Sequence, residues 1–437
     1  MSNESSLRFK LALASSFTPF MVHKITALGR RGGRLFANLL KLLQGYPLTP
    51  PSLASMTLDQ DDVDLALSWL RQPTHWGEAD WGARYAAEFA RWNGSQYAFA
   101  FMGGRVALSA CIYALGLQPG DEVIVPGYTC VVVPNAFRYA QVKIIYSDIE
   151  LETYGLDVEA LASRITPRTR AILIHHLYGL VCRDYMAVLE LARQRALWVI
   201  EDCAHATGAE YNGRKVGNYG DIAFYSSEQS KIFNTMQGGL AVTNRPEFAS
   251  RLEAYYHQAL YPEAERIERL LYMVGLSYYQ FKHPQRWWRG PVATWQHGAK
   301  RLASTTPQEE QGIRPSYYGQ KMAAPLAALG LNQIKKIDAY NARRRETAHR
   351  WDAWCQAHHY RPPAVVAQST PVYLRYPVLV APEKKQNRDW ALREPGVALG
   401  VWFTSHLHPV PHPPLPECPN ATRAVQQCVN FPCLLDS

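Results

Sequence analysis

At 437 residues, with 47% apolar and 19% charged side chains, the chain suits a folded protein with a large core and room for two domains. Its eight cysteines are scattered with no CxxC pair, and its 14 histidines form no HExxH, which points away from a disulfide framework and from a metal site. The formal net charge of +9 sits in two segments: residues 1–50 hold seven basic side chains against Glu4 alone, and residues 270–302 hold five with no acid, so the rest is slightly acidic.

Residues 1–50 include ITALGRRGGRLFANLLKLLQG, which places Leu35, Leu39, Leu42 and Leu43 on one helical face beside arginines. It reads either as a helix packed on the body or as one lying on an anionic membrane surface. No run reaches the ~18 apolar residues of a spanning helix. The stretch LALASSFTPFMV lacks a small-x-small cleavage site and is read as uncleaved. Residues 1–60 form this extension and a Pro- and Ser-rich linker.

From Asp61 helices and strands alternate. DVDLALSWLRQ, RYAAEFARWNG and RVALSACIYALG read as helices, the last two stopped by Gly94 and Gly116. Strands DEVIVP, VKIIYSDI, RAILIHHLYG, LWVIEDCA, AFYSS and GGLAVT follow, with helices VVVPNAFRYA, VEALASRI and MAVLELARQRA between the earlier ones. Apolar runs joined by helices predict an α/β fold: a three-layer αβα arrangement around a mainly parallel sheet, over residues 61–335. An insertion at about 262–314 carries Ile267, Leu270, Leu271, Val274, Tyr278 and Phe281 at helical spacing, then KHPQRWWRGPVATW. It reads as a packed lid or dimer contact, or as a membrane-docking element; no nucleic-acid-binding pattern is present. One long helix is expected from Lys321 onward. Residues 336–437 form a smaller α/β domain with strands VYLRYPVLVA and GVALGVWFTS.

The chemistry gathers in Leu197–Gly239. LWVIED ends in Asp202, and the carboxyl ends of parallel strands line the ligand crevice. A carboxylate there can hold a protonated pyridine nitrogen, or simply cap a helix. Ser226 ends another strand and Lys231 follows in SSEQSKIF, among few charges. A partly desolvated lysine of this kind suits Schiff-base chemistry. Gly103 and Gly104 open the next helix, whose free N–H groups attract phosphate.

These pieces, with GDEVIVPGYT, ITPRTRAILIHHLYG and AALGLNQIKKIDAYNARRRE, resemble the DegT/DnrJ/EryC1/StrS family of sugar-nucleotide aminotransferases, from about Trp76 onward and excluding the insertion. The resemblance implies an aspartate-aminotransferase-like fold, pyridoxal 5′-phosphate as cofactor, an amino donor such as glutamate and a nucleotide-linked keto-sugar acceptor. It also implies a homodimer with sites at the interface, in the cytoplasm. By position, Lys231 matches the lysine that holds the cofactor, Asp202 the partner of its ring nitrogen, and His205 the residue lying against its ring. Ser226, Gly104 and Arg105 match the phosphate-binding positions, and His176 and Tyr178 the strand end beneath the site; Tyr128, His176, Tyr178 and Lys321 are expected on the substrate side.

The chain departs from the family pattern at four places. Arg105 stands for a threonine and can hold phosphate by charge. Cys130 stands for the aromatic residue that stacks on the ring, leaving Tyr128 or His205 to compensate. Ile232 follows the lysine in place of asparagine. Lys321 stands where an arginine of the partner subunit contacts phosphate. Two other readings stay open: a pyridoxamine-phosphate-dependent sugar dehydratase, whose members carry histidine at the position of Lys231, and a catalytically weakened scaffold at a membrane.

Overall fold

The computed structural model describes residues 57–282 and 304–435. Its central sheet has seven strands: β1 (Tyr97–Phe101), β2 (Glu122–Pro126), β3 (Lys143–Ser147), β4 (Thr169–His175), β5 (Trp198–Asp202), β6 (Ile222–Ser226) and β7 (Gly239–Thr243). They lie in the order β1-β7-β6-β5-β4-β2-β3. Pairing is parallel from β6 through β3, and β7 runs antiparallel to both β6 and β1. The apolar runs of the sequence follow from this position: all five residues of β2, β6 and β7 are buried, as strands covered on both faces must be.

Alternate residues of these strands enter two apolar layers. Ile124, Ile172 and Ile174 join one layer with Tyr85 and Phe89 of helix α1 (Ala79–Asn93) and Leu326 and Leu329 of helix α5 (Ala324–Ile334). Val123, Val125 and Leu173 join the other with Val106 and Leu108 of helix α2 (Gly104–Leu115) and Phe137 of helix α3 (Val132–Tyr139). This is the expected three-layer αβα arrangement. Helices α1 and α2 stop at Gly94 and Gly116, both at positive φ.

Two elements differ from the sequence reading. The single long helix after Lys321 is two: α5 ends at Ile334, and α6 (Ile337–Ala357) starts after Lys335–Lys336. VYLRYPVLVA yields strand β8 (Tyr376–Leu379), which pairs antiparallel with β9 (Cys428–Phe431). GVALGVWFTS forms no strand; Gly400 makes an isolated bridge to Asn430, and the rest is held by side-chain bonds described below. Strand β1 and the Glu210–Lys215 hairpin are additional.

The insertion opens with helix α4 (Ala264–Phe281). Its stripe of Ile267, Leu270, Leu271, Val274 and Tyr278 is buried in the core. The apolar face of this helix is therefore covered by the core. The basic extension, residues 1–50, and KHPQRWWRGPVATW beyond Lys282 lie outside the described residues. No helix among the described residues is long and apolar enough to cross a membrane. The chain divides into two compact units, one of Ser52–Asn387 with Leu399–Ser437 and one of Met1–Pro51 with Arg388–Ala398. In the second unit the described stretch carries a short helix, Asp389–Arg393.

Candidate active site

The carboxyl ends of β4, β5 and β6 set out His175, Asp202 and Ser226 along one edge of the sheet. The start of helix α2 comes to the same edge. A Cβ on Gly239 would lie 2.4 Å from the backbone of Gly103 and Gly104, and one on Gly104 would lie 2.9 Å from Ser226 Cβ. Glycine at both places lets the helix start rest directly on the strand ends. No side chain caps this helix; Val106 and Ala107 N–H bond Gly103 O, and the N–H groups of Gly104 and Arg105 are left for another acceptor. Above the edge lies a cavity of about 410 Å³, lined among others by Gly104, Cys130, Asp202, His205, Ser226 and Lys231.

Lys231 reaches the cavity because its loop is pinned on both sides. Its N–H bonds Glu228 O at 2.8 Å, and Ile232 and Phe233 are buried in the core. Ile232, the departure from the expected asparagine, is thus an apolar anchor, and its carbonyl accepts a 2.8 Å bond from buried Arg344. Burial holds the Lys231 ammonium below the usual lysine pKa. Asp202 accepts one bond, 2.9 Å from Ala204 N–H. Burial raises its pKa to about 6. His205 is buried and accepts a 3.3 Å bond from Tyr178 N–H at Nδ1. Its proton is therefore on Nε2, and burial with nearby Lys231 and Arg375 keeps the ring neutral.

Arg105 lines the cavity, but its guanidinium is already committed. It pairs with buried Glu309 and donates to Ser304 O at 2.5 Å. Glu309 is itself fixed by a 3.0 Å bond from Tyr318 Oη. This ion pair satisfies Glu309, since a fully buried carboxylate needs a cation.

The residues expected on the substrate side behave differently from one another. His176 lines the cavity, yet both ring nitrogens are engaged: Nδ1 accepts from Cys182 N–H at 3.4 Å and Nε2 faces Glu201 Oε2 at 3.2 Å. Tyr128, Tyr178 and Lys321 do not line it. Tyr128 and Tyr178 are fully buried behind it, their hydroxyls 3.0 Å apart, and both bond Trp402 O. Lys321 Nζ lies 4.7 Å over the Tyr261 ring.

Sequence reasoning missed Trp402. Its indole lines the cavity and lies against His205, ring centroids 4.9 Å apart at 13°. Lys231 Nζ is 4.9 Å from its centre. Four bonds fix the backbone here: Trp402 N–H to Asn430 Oδ1 at 2.8 Å, Phe403 N–H to Tyr128 Oη at 2.8 Å, and the two tyrosine hydroxyl bonds to Trp402 O above. Parallel pairing of Leu407–His408 with Thr129–Cys130 brings this segment to the site. Glu228 and Arg266 were also missed. Glu228 is buried on the cavity wall, and Arg266 lines the cavity with its guanidinium 4.4 Å over Tyr317.

A desolvated amine, an under-bonded carboxylate at a strand end, a neutral imidazole and an uncapped helix start beside a serine form a donor set that fits pyridoxal phosphate. Residues 62–283 and 285–436 match the DegT/DnrJ/EryC1/StrS aminotransferase family. The chain belongs to this family. It is a pyridoxal-phosphate-dependent aminotransferase.

Among relatives, GDP-perosamine synthase of Escherichia coli O157:H7 is 30% identical over 302 residues, 69% of each chain. L-glutamine:2-deoxy-scyllo-inosose aminotransferase of Streptoalloteichus tenebrarius is 38% identical over 170 residues, 39% of this chain and 40% of that one. Among solved structures, an aminotransferase from Psychrobacter cryohalolentis superposes with TM-score 0.65 at 25% identity, covering 89% of this chain and 93% of that one. The E. coli GDP-4-keto-6-deoxy-D-mannose-3-dehydratase gives TM-score 0.66 at 19% identity over 88% and 95%, a likeness of fold alone.

Proposed function

We propose that this aminotransferase moves an amino group from an amino acid, glutamate by family likeness, to the keto carbon of a nucleotide-linked sugar. The observation that carries this reading is the convergence of Lys231, Asp202 and His205 on one cavity beside the start of helix α2. When bound, pyridoxal phosphate supplies the electron sink for breaking the donor's Cα–H bond. Lys231 Nζ, its pKa lowered by burial, accepts the Cα proton. The Asp202 carboxylate holds the proton on the ring nitrogen. Neutral His205 offers a flat face to the ring. Ser226 Oγ and the N–H groups of Gly104 and Arg105 receive the phosphate.

Arg266 supports the nucleotide linkage. It is a guanidinium on the cavity wall, bonded to Gln237 Oε1 at 2.8 Å, of the kind that pairs with phosphate. Lys231 favours transamination over the dehydratase reading, whose members carry histidine there. In the same reading the protein works as a cytoplasmic homodimer, with Lys321 offered to the partner's phosphate site. Charge in residues 1–50 and 270–302 supports peripheral contact with an anionic membrane; flotation with and without anionic lipid tests that contact.

The function is tested by mixing the purified enzyme with glutamate and following its visible absorption, then adding candidate nucleotide-linked keto-sugars. A donor-driven spectral change reversed by one such sugar supports the reading. No change with any amino donor would overturn it.

A further inference from the structure

Lys231 stands in the loop between β6 and β7, which has no helix or strand of its own, so contacts from elsewhere must hold it in place. Before Lys231 the loop closes on itself, through Lys231 N–H to Glu228 O at 2.8 Å. After Lys231 the partners come from helices α5 and α6. Asn234 N–H donates to Gln333 Oε1 at 3.2 Å. The Ile232 carbonyl, one residue past Lys231, accepts from Arg344 Nη2 at 2.8 Å. Arg344 is 1% exposed, and its Nη1 donates to Asn341 Oδ1 at 3.0 Å, three residues back on the same face of α6. Asn341 Nδ2 in turn donates at 3.0 Å to the carbonyl of Thr207, two residues past His205. It comes this close because the next residue is Gly208, at φ +90°, where a Cβ would lie 2.6 Å from Asn341 Nδ2. One chain of hydrogen bonds thus runs from the residue after Lys231, through Arg344 and Asn341, to the loop of His205.

We propose that Arg344 is a positioning residue for Lys231, and that with Asn341 it makes helix α6 the brace that keeps Lys231 and His205 in register. This rests on the aminotransferase reading above. Neither residue lines the cavity, so both act through the loops they hold. Burying a guanidinium is costly, and a single carbonyl can be met by a neutral amide. What guanidinium adds is a rigid planar fork that fixes two acceptors at once, here the Ile232 carbonyl and the Asn341 side chain. Further along α6, Trp351 Nε1 donates to Pro432 O at 2.8 Å, just past β9, whose Asn430 holds the Trp402 N–H. The helix is thereby tied to the segments that present Lys231, His205 and Trp402 to the cavity. Proton transfer by Lys231 depends on where Nζ stands, and a misplacement of about 1 Å costs on the order of 100-fold in rate.

The test uses the cofactor-loaded enzyme and two readouts taken per bound cofactor: the pH midpoint of the visible band, and the rate at which that band changes in a single turnover with glutamate. Arg344→Met removes the fork. It should move the midpoint by about half a pH unit or more and slow the single turnover about tenfold or more. Arg344→Lys keeps the charge but replaces a fork with a point charge, and it serves if the methionine variant does not fold. It should produce the same changes in smaller measure. Asn341→Ala should act in the same direction, and combined with Arg344→Lys it should add little, since both break one chain of bonds. Leu270→Ala, destabilised at a distance, controls for lost stability and should move neither readout. A change in either readout beyond that control supports the brace. Readouts in the folded Arg344 variants equal to wild type, or changed no more than in Leu270→Ala, would overturn it. Failure of the underlying function reads differently: the wild-type band would not respond to any amino donor, while its pH midpoint would still report on Arg344.

Discussion

Arg105, at the start of helix α2, is held by Glu309, 204 residues further along the chain. Glu309 is fully buried and Arg105 is 14% exposed. Burial acts against the charge on Glu309, but Arg105, with hydrogen bonds from Thr306 and Tyr317, keeps the carboxyl below its usual pKa. The end of the insertion is thereby clamped onto the helix whose first turn borders the cavity. Glu309→Gln leaves the guanidinium buried and unpaired and should cost about 3–5 kcal/mol. Replacing both residues together, Arg105→Met with Glu309→Leu, should cost less than the two single changes added. Urea unfolding of the four proteins measures this.

Asp202 carries a pH signature. Its pKa in the fold, about 6, lies above the ordinary 3.8. The folded protein stripped of cofactor therefore holds this proton more tightly than the unfolded chain. That contribution to stability is full below about pH 4 and is lost as pH rises through about 6. Asp202→Asn should stabilise the stripped protein at neutral pH by on the order of 1–3 kcal/mol, with the gain vanishing in acid. The same change should abolish most turnover of the loaded enzyme. Thermal melts across the pH range check the first effect and steady-state assays the second.

Much of this site is legible along the chain because its parts are local. An apolar run ending in an acid marks β5 and Asp202, and Ser226 and Lys231 follow their own strand within a few residues. Trp402 is not legible in that way. It sits in GVALGVWFTS, which reads as a strand but forms none, and its place comes from Leu407–His408 pairing with Thr129–Cys130 and from buried tyrosines at 128 and 178. Those tyrosines look like substrate contacts in sequence but act as supports for the Trp402 carbonyl. The ion pair of Arg105 has the same character, since nothing near Arg105 in sequence announces Glu309. The break at Lys335–Lys336 is also tertiary. Lys336 Nζ bonds Asp61 and Asp62 at 2.6 and 2.9 Å, which ties the junction to the first described helix rather than to a continuous one.

Gly239 tests how closely the helix start must rest on the sheet. An added methyl would meet the backbone of Gly103 and Gly104 at 2.4 Å, and backbone has nowhere to retreat. Gly239→Ala should cost about 1–3 kcal/mol and weaken phosphate retention by lifting the helix start. Stability by chemical denaturation and cofactor dissociation by dialysis read the two consequences separately.

Helix α4 separates the packed-lid reading from the membrane reading. Leu270 is completely buried against the core. Leu270→Ala should cost about 2–5 kcal/mol, a cavity-forming loss. It should leave partitioning onto anionic vesicles unchanged. A loss of vesicle binding without loss of stability would place that face on the lipid.

The account rests on Lys231 as the residue that holds the cofactor. Borohydride treatment of the loaded enzyme, followed by digestion and mass spectrometry, should find the pyridoxyl label on the peptide containing Lys231, and Lys231→Ala should show no visible cofactor band and no label. A label on another lysine, or a wild-type band and labelling pattern retained in Lys231→Ala, would contradict it.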